Sequence, residues 1–183
     1  GTEPPGYMAL WMRQTKQTTW LQAADLVQIA DTAVKLAEAG DVYFGIGLHG
    51  EARGKSSRGT ANGVIALPGV WLDVDVAGEA HKASDLPPDI EAARSYLTDF
   101  PLRPTVVVHS GHGLQAWWLF GELWRFDDKS EHDRAADLVR RFQETMQAKA
   151  WVYGWSIDST PDLARVLRLP GTWNRKLEPV RVQ

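Results

Sequence analysis

Two aspartates interrupt an apolar segment in the middle of the chain, in the sequence WLDVDV at residues 71–76. Side chains of a β-strand alternate between its two faces, so Asp73 and Asp75 would share one face and the apolar residues between them the other. Two carboxylates roughly 6–7 Å apart on a partly desolvated surface repel each other unless a cation lies between them. The spacing therefore predicts a buried strand that presents an acidic pair to a divalent ion.

A second polar cluster, HSGHG, joins the apolar segments TVVVHS and LQAWWLF, which predict a β-hairpin. Ser110 and His112 supply a hydroxyl and an imidazole at its tip, and Gly111 lets a ligand approach the backbone closely. His109 and His112 stand three residues apart and would face opposite ways on a strand, so a shared metal site is not expected. A glycine-rich turn with an incidental histidine is the alternative interpretation.

A third segment, WSIDSTPDLARVLRLPGTWNRK, combines acids with cations near the C-terminal end. Asp158 follows an apolar stretch, and Asp162 with the proline before it predicts the start of a short helix that carries Arg165 and Arg168. One more carboxylate and several cations therefore come together in one segment. A capping aspartate with surface arginines explains the same residues without any site.

A glycine- and serine-rich loop, GEARGKSSRGTANG, carries Arg53, Lys55 and Arg58. The chain has a net charge of −3, so a polyanion would have to bind to a local basic patch such as this one. The loop does not match a phosphate-binding P-loop, because three residues instead of four separate Gly50 and Gly54. Ordinary solvated surface charge is the competing interpretation.

Composition indicates a folded domain, since 44% of the 183 residues are hydrophobic and 23% are charged. Cysteine is absent, which excludes disulfides, thiolate zinc sites and cysteine nucleophiles and fits a cytoplasmic setting. No apolar run approaches the ~18 residues that cross a bilayer, so no membrane association is expected. The first residue is not methionine, and we expect residues 1–183 to be one domain of a longer protein.

The remaining pattern alternates between helices and strands. Helical spacing predicts a helix over residues 21–40, which ends at a glycine, and another over residues 89–100. A longer amphipathic helix over residues 130–150 has Ser130 and Asp133 in capping-box spacing at its start. Together with the hairpin and the strand VYFGIGL, this predicts an α+β fold of mixed layers with at least one antiparallel sheet.

Taken together, WLDVDV, VVVHSGHGLQAWW and SIDSTPDLARVLRLPGTWNRK resemble, in order and spacing, three motifs of the archaeo-eukaryotic primase (AEP) superfamily. The likeness is to the primase-polymerase domains of phage and plasmid replication proteins, and it runs from about Val42 to Lys176. It implies a catalytic core with a sheet related to the RNA-recognition motif, packed beside an N-terminal α/β unit.

The resemblance also implies roles for particular residues. Asp73, Asp75 and Asp158 would bind two divalent ions, Mg²⁺ or Mn²⁺, with Asp162 as the rival third acid. His112 would stabilise the triphosphate of the incoming nucleotide. The full set implied to contact the nucleotide is Ser110, Gly111, His112, Arg168, Asn174 and Lys176, and the template is expected at Arg53, Lys55 and Arg58.

The expected function is therefore template-directed nucleotidyl transfer, as in a DNA primase or polymerase. Expected partners are a single-stranded DNA template, a primer, nucleoside triphosphates and a helicase domain in the parent protein. Two alternatives remain: a two-metal nuclease or phosphohydrolase that uses the same acids, and a non-catalytic replication-initiator domain that binds origin DNA and keeps only the fold. The sequence does not distinguish ribonucleotides from deoxyribonucleotides, nor Mg²⁺ from Mn²⁺.

Overall fold

The computed structural model describes residues 3–81 and 83–183. Its strands and helices, in chain order, are β1 (Tyr7–Met12), β2 (Thr18–Gln22), α1 (Leu26–Ala39), β3 (Val42–Gly45), β4 (Leu48–His49), β5 (Val64–Asp75), α2 (Ile90–Thr98), β6 (Val106–His109), β7 (Gly113–Arg125), α3 (Lys129–Val152), β8 (Val166–Arg168), β9 (Trp173–Asn174) and β10 (Val180–Arg181). None of the described helices is long and apolar enough to cross a membrane.

One large sheet organises the fold. Its strands lie in the order β6-β7-β5-β4-β1-β3-β8, and β2 pairs with β1. Every pairing between these strands is antiparallel, and β9 with β10 forms a small separate sheet. The expected α+β fold with an antiparallel sheet is confirmed.

The two longest strands, β5 and β7, pair with each other, and α2 and α3 cover this pair on one face. Leu72 and Val74 of β5 are fully buried in this core. The ring of Trp118 on β7 contacts Phe142 of α3 edge to face, with centroids 4.8 Å apart. The Tyr96 hydroxyl on α2 donates to the Met146 carbonyl on α3 at 2.6 Å, so the two helices are fixed to each other as well as to the sheet. On the opposite face of β5 and β7, the buried Trp71 and Trp117 adjoin the polar residues Asp73, Asp75 and Gln115.

The N-terminal part of the sheet has a core of its own, formed by Leu10, Leu21, Ile29 and Ala33. These residues come from β1, β2 and α1, so the N-terminal elements form an α/β unit beside the larger core, as the resemblance implied. The hairpin β6–β7 and the strand through Asp75 also form as predicted.

Two predicted helices begin at other residues than expected. The helix predicted from residue 21 begins at Leu26, capped by Asp25, because residues 18–22 pair with β1 as strand β2. The long helix begins at Lys129, one residue before its predicted start. Its N-cap is Asp128, whose carboxylate accepts the Glu131 N–H, and not the predicted pair Ser130 and Asp133.

The short helix predicted after Pro161 does not form. The apolar residues that follow pair with the edge of β3 as β8, and this long-range pairing replaces the local helix. The Asp162 carboxylate instead accepts the Ala164 N–H at 3.0 Å within a turn.

Gln143 of α3 fixes the segment that carries Asp158. Its fully buried amide nitrogen lies 3.3 Å from the Trp71 carbonyl and 3.2 Å from the Thr160 carbonyl, and its oxygen accepts the Thr160 N–H. One side chain therefore connects the centre of β5 to the chain between α3 and β8.

We predict that Gln143→Leu lowers the free energy of unfolding by about 1–3 kcal/mol, because the buried Thr160 N–H loses its acceptor. Urea unfolding followed by circular dichroism measures this change. Glu144→Gln, at the next, exposed position, is the matched control and should change stability by less than about 0.5 kcal/mol. Equal stability of Gln143→Leu and the wild type would contradict this role.

Candidate active site

The acidic pair lies where the alternation of β5 places it. Asp73 is opposite Gln115, and Asp75 is opposite Gly113, on the face of the β5–β7 pair that the helices do not cover. Their side chains are 21% and 35% exposed, respectively. Both carboxylates therefore reach solvent while their strand is buried on its other face.

The environment of these carboxylates disfavours their charged forms. Burial, followed by the charge of Asp75, raises the pKa of Asp73 to about 6, and the nearby Arg165 guanidinium opposes this rise. Burial also raises the pKa of Asp75, with Lys176 lowering it and Asp158 raising it further. A bound cation would relieve the repulsion between these acids.

Two adjoining cavities open at the acidic pair. One, of about 230 Å³, is lined by Asp73, Asp75 and Asp158. The other, of about 200 Å³, is lined by Asp73 and Asp75 together with the hairpin residues Ser110 and His112. The acidic pair thus lies between Asp158 on one side and the hairpin tip on the other.

The two candidates for the third acid differ in position. Asp158 lines the cavity that contains Asp73 and Asp75. Asp162 is exposed, lines neither of these two cavities, and caps the turn before β8. The geometry thus favours Asp158 as the acid that shares a cation with the strand pair.

The hairpin tip is held by backbone hydrogen bonds and by Asn174. Gly111 has φ +101°, a conformation that side chains rarely adopt, and a Cβ there would lie 3.0 Å from the Asn174 amide nitrogen. That nitrogen donates to the Ser110 carbonyl at 2.7 Å, and the Asn174 oxygen accepts the Lys176 N–H at 3.0 Å. Asn174, which also lines the smaller cavity, thus positions the tip and Lys176.

The two hairpin histidines differ in position: His109 ends β6, whereas His112 lies in the turn before β7. His112 lines the smaller cavity, and its Nε2 is buried without a hydrogen-bond partner among the described residues. Burial, followed by the charge of Lys176, lowers the pKa of His112. His109 lines neither cavity, and its backbone pairs with Gln183. Of the two hairpin histidines, His112 is thus the one that lines a cavity at the acids.

Arg168 and Lys176 both line the smaller cavity, but the Arg168 side chain is held more firmly than that of Lys176. Arg168 is buried, forms an ion pair with Asp41 at 3.1 Å and lies over the Tyr43 ring. Lys176 has its Nζ 3.2 Å from Nε2 of His81. Arg168 therefore contributes its charge from a fixed position, whereas Lys176 is held by a weaker, partly exposed contact.

The basic loop lies apart from these cavities. Arg53, Lys55 and Arg58 are exposed and line neither of them. The Lys55 carbonyl accepts the Thr18 N–H of β2 at 2.7 Å, and the Arg58 guanidinium lies over the ring of Trp11 on β1. The loop is thus attached to the N-terminal unit.

Sequence reasoning missed three side chains that contact the acidic pair, and one of them, Gln115, forms a hydrogen bond with Asp73. Nδ1 of His81 is 3.0 Å from an Asp75 oxygen, and Nη2 of Arg165 is 3.7 Å from an Asp73 oxygen. Arg165 belonged to a segment already recognised as basic, so its charge was a usable signal. His81 lies in an irregular loop after β5, and no local pattern marks it.

The described residues contain no group of three or more acidic, histidine or cysteine side chains close enough to hold a metal ion by themselves. The acidic pair is therefore a two-carboxylate donor set, with Asp158 facing it across the cavity.

Comparisons with known proteins identify the fold. No protein-family model and no curated protein matches the chain. The AEP domain of the cyanophage S-2L primase-polymerase is similar, with a TM-score of 0.54 and 17% identity over 97% of this chain and 78% of that one. The catalytic domain of primase Repb′, in complex with initiator DNA, is similar with a TM-score of 0.51 and 16% identity over 97% of this chain and 73% of that one.

The chain therefore has the fold of archaeo-eukaryotic primase catalytic domains, and the recognition based on the three motifs is confirmed at the level of the fold.

The raised pKa of Asp73 predicts a pH dependence of stability. Because its pKa is about 6 in the folded protein and near 3.9 in the unfolded chain, the folded state binds more protons between these values. The free energy of unfolding should therefore fall as the pH rises from about 4 to 6. With allowance for solvent screening of a partly exposed group, Asp73 should contribute about 1–2 kcal/mol to this fall.

Asp73→Asn should remove that contribution when urea unfolding is measured across this pH range in the presence of EDTA. Asp31→Asn, an exposed substitution on α1, is the control and should keep the wild-type profile. The same pH profile in Asp73→Asn and the wild type would show that Asp73 has an ordinary pKa.

Proposed function

We propose that this protein is a template-directed nucleotidyltransferase, a primase or polymerase that joins a nucleotide to a 3′-hydroxyl. The observation that carries the proposal is the position of the Asp73–Asp75 pair between Asp158 and the hairpin tip with His112. An acid-lined cavity that adjoins a basic one suits a reaction in which triphosphate and cations bind together. The shared fold with two primase catalytic domains supports the same class of activity.

The donor set fits Mg²⁺ or Mn²⁺. These ions prefer hard oxygen ligands, and Mg²⁺ usually binds through one or two carboxylates together with substrate phosphates. Asp73 and Asp75 supply such carboxylates, and the raised pKa of Asp73 reflects a site that favours an added positive charge. When bound, a pair of such ions stabilises charge on the attacking and leaving oxygens of phosphoryl transfer.

The protein's own residues would orient the reactants. In the reaction, a bond forms between the primer 3′-oxygen and the α-phosphorus, and the bond to pyrophosphate breaks. His112, with its unpaired Nε2, would hydrogen-bond a phosphate oxygen, and Lys176 would add a positive charge beside it. Arg168, fixed by Asp41, would contribute charge without moving. Ser110 and Gly111 would place the hairpin backbone against the triphosphate.

DNA is the template that we propose, and Arg53, Lys55 and Arg58 would contact its phosphates. Exposed cations position a nucleic-acid backbone without reading its sequence. The complex of Repb′ with initiator DNA supports this choice of polymer. A phage or plasmid origin and a cytoplasmic location in a prokaryotic host belong to the same proposal.

The proposal predicts that Asp73→Asn and Asp75→Asn each reduce primer extension at least about 100-fold, because either change removes a metal-binding carboxylate. A labelled primer on a single-stranded template, incubated with nucleoside triphosphates and Mg²⁺ or Mn²⁺, measures this. Asp158→Asn should also cause a large loss. Asp162→Asn, at the position four residues after Asp158, is the matched control and should retain activity within about 3-fold.

Three outcomes would contradict the proposal. Full activity in Asp73→Asn or Asp75→Asn would remove the assigned site. Shortening of the labelled strand would indicate a nuclease. A sequence-specific, metal-independent footprint without any extension would indicate a DNA-binding initiator.

A further inference from the structure

Trp11 on β1 lies beneath two positive charges. The Lys16 ammonium is 5.1 Å from the centroid of its ring, and the Arg58 guanidinium carbon is 5.0 Å from it. The ring itself is half-buried, whereas both cations are exposed. Lys16 belongs to the β1–β2 turn and Arg58 to the basic loop, so two separate segments bring positive charge to one aromatic ring.

These two cations have no acidic partner. No carboxylate lies within 4 Å of Lys16 or Arg58 among the described residues, although the protein has a net charge of −3. Since each charge is about 5 Å from the same ring, the two are within about 10 Å of each other. The missing counter-charge favours an anionic ligand at this surface.

The Trp11 surface is continuous with the candidate active site. Trp11 is directly opposite Tyr43 of β3, their rings meet edge to face at 5.3 Å, and Tyr43 is in turn opposite Arg168 of β8. Neighbouring strands are about 4.8 Å apart, so Trp11 lies roughly 10 Å from Arg168. Tyr43 and Arg168 line the cavity that contains Asp73. Two adjacent aromatic rings, Trp11 and Tyr43, thus connect the cations of the basic loop to Arg168 and the acids.

From this arrangement we propose that Trp11 is a base-stacking site for single-stranded nucleic acid. In this site Lys16 and Arg58 move from the indole to the adjacent phosphates, a base stacks on the ring that they uncover, and the strand continues past Tyr43 toward the acidic pair. Basic grooves with aromatic rings on which bases stack are the general means of binding single strands without sequence preference. The inference rests on the proposed function and adds the place where the template strand enters.

The test measures binding without catalysis. A fluorescein-labelled oligothymidylate is titrated with protein in EDTA, without nucleoside triphosphates, and its anisotropy is followed. Trp11→Ala should weaken affinity by about 5- to 100-fold, the range expected for loss of one stacked base, and Trp11→Phe should have a smaller effect because it retains an aromatic face. Trp151→Ala is the matched control, since this tryptophan is 79% exposed and lines neither cavity at the acids.

Salt dependence separates stacking from phosphate contacts. For single strands each phosphate contact contributes about −0.7 to the slope of log K against log salt concentration. The double variant Lys16→Ala, Arg58→Ala should therefore flatten the slope by about 1.4, whereas Trp11→Phe should leave it unchanged. Circular dichroism would reveal whether Trp11→Ala folds. If it does not, the Trp11→Phe variant and the double variant still test the site.

Three results would overturn the inference: wild-type protein that does not bind oligothymidylate, unchanged affinity and salt slope in the Trp11→Phe and double variants, or an equal loss in Trp151→Ala. Failure of the proposed function is seen separately, because oligothymidylate binding is measured in EDTA without nucleotides, whereas primer extension is measured on the same wild-type protein with metal and nucleotides. Binding that depends on Trp11 in a protein without primer extension would keep the stacking site and reject the enzyme.

Discussion

The repulsion between two carboxylates on one face of β5 is the constraint on which the rest of the site depends. Asp73 and Asp75 point the same way because they are separated by one residue in a strand, and their strand is buried because Leu72 and Val74 form the core beneath the helices. On the other face, the residues that line the two cavities partly desolvate the acids. Cations around the pair, supplied by Arg165 and Lys176, offset part of this cost, and raised pKa values show that they do not offset all of it.

Long-range contacts bring the other site residues to this pair. Gln143 fastens the segment with Asp158 to β5, and Asn174 fastens the hairpin tip with Ser110 to β9. The buried Asp41 carboxylate pairs with Arg168 and accepts the Arg175 N–H, which joins the end of α1 to the C-terminal segment. A buried ion pair of this kind is costly to break from one side, because the remaining charge is left unpaired. Buried polar side chains thus determine where the exposed ones meet.

The features that were predicted correctly from the sequence are those that depend on local periodicity. Alternation along β5 placed Asp73 and Asp75 on one face. Local signals misled where pairing is long-range: helical spacing extended over Leu21, which pairs with β1, and the segment after Pro161 joined the edge of β3. His81 could not have been predicted, since its contact with Asp75 depends on the path of an irregular loop. The roles assigned from the resemblance stay predictions until tested.

The central claim is that the Asp73–Asp75 pair is a carboxylate site that favours a divalent cation. Carbon-detected NMR titration of the aspartate carboxyl groups, with and without Mg²⁺, tests this most directly. We expect the Asp73 carboxyl to titrate near pH 6 without metal and at a clearly lower pH when Mg²⁺ is added. A midpoint near 4 that Mg²⁺ leaves unchanged would contradict the account, because the acids would then neither repel each other nor share a cation.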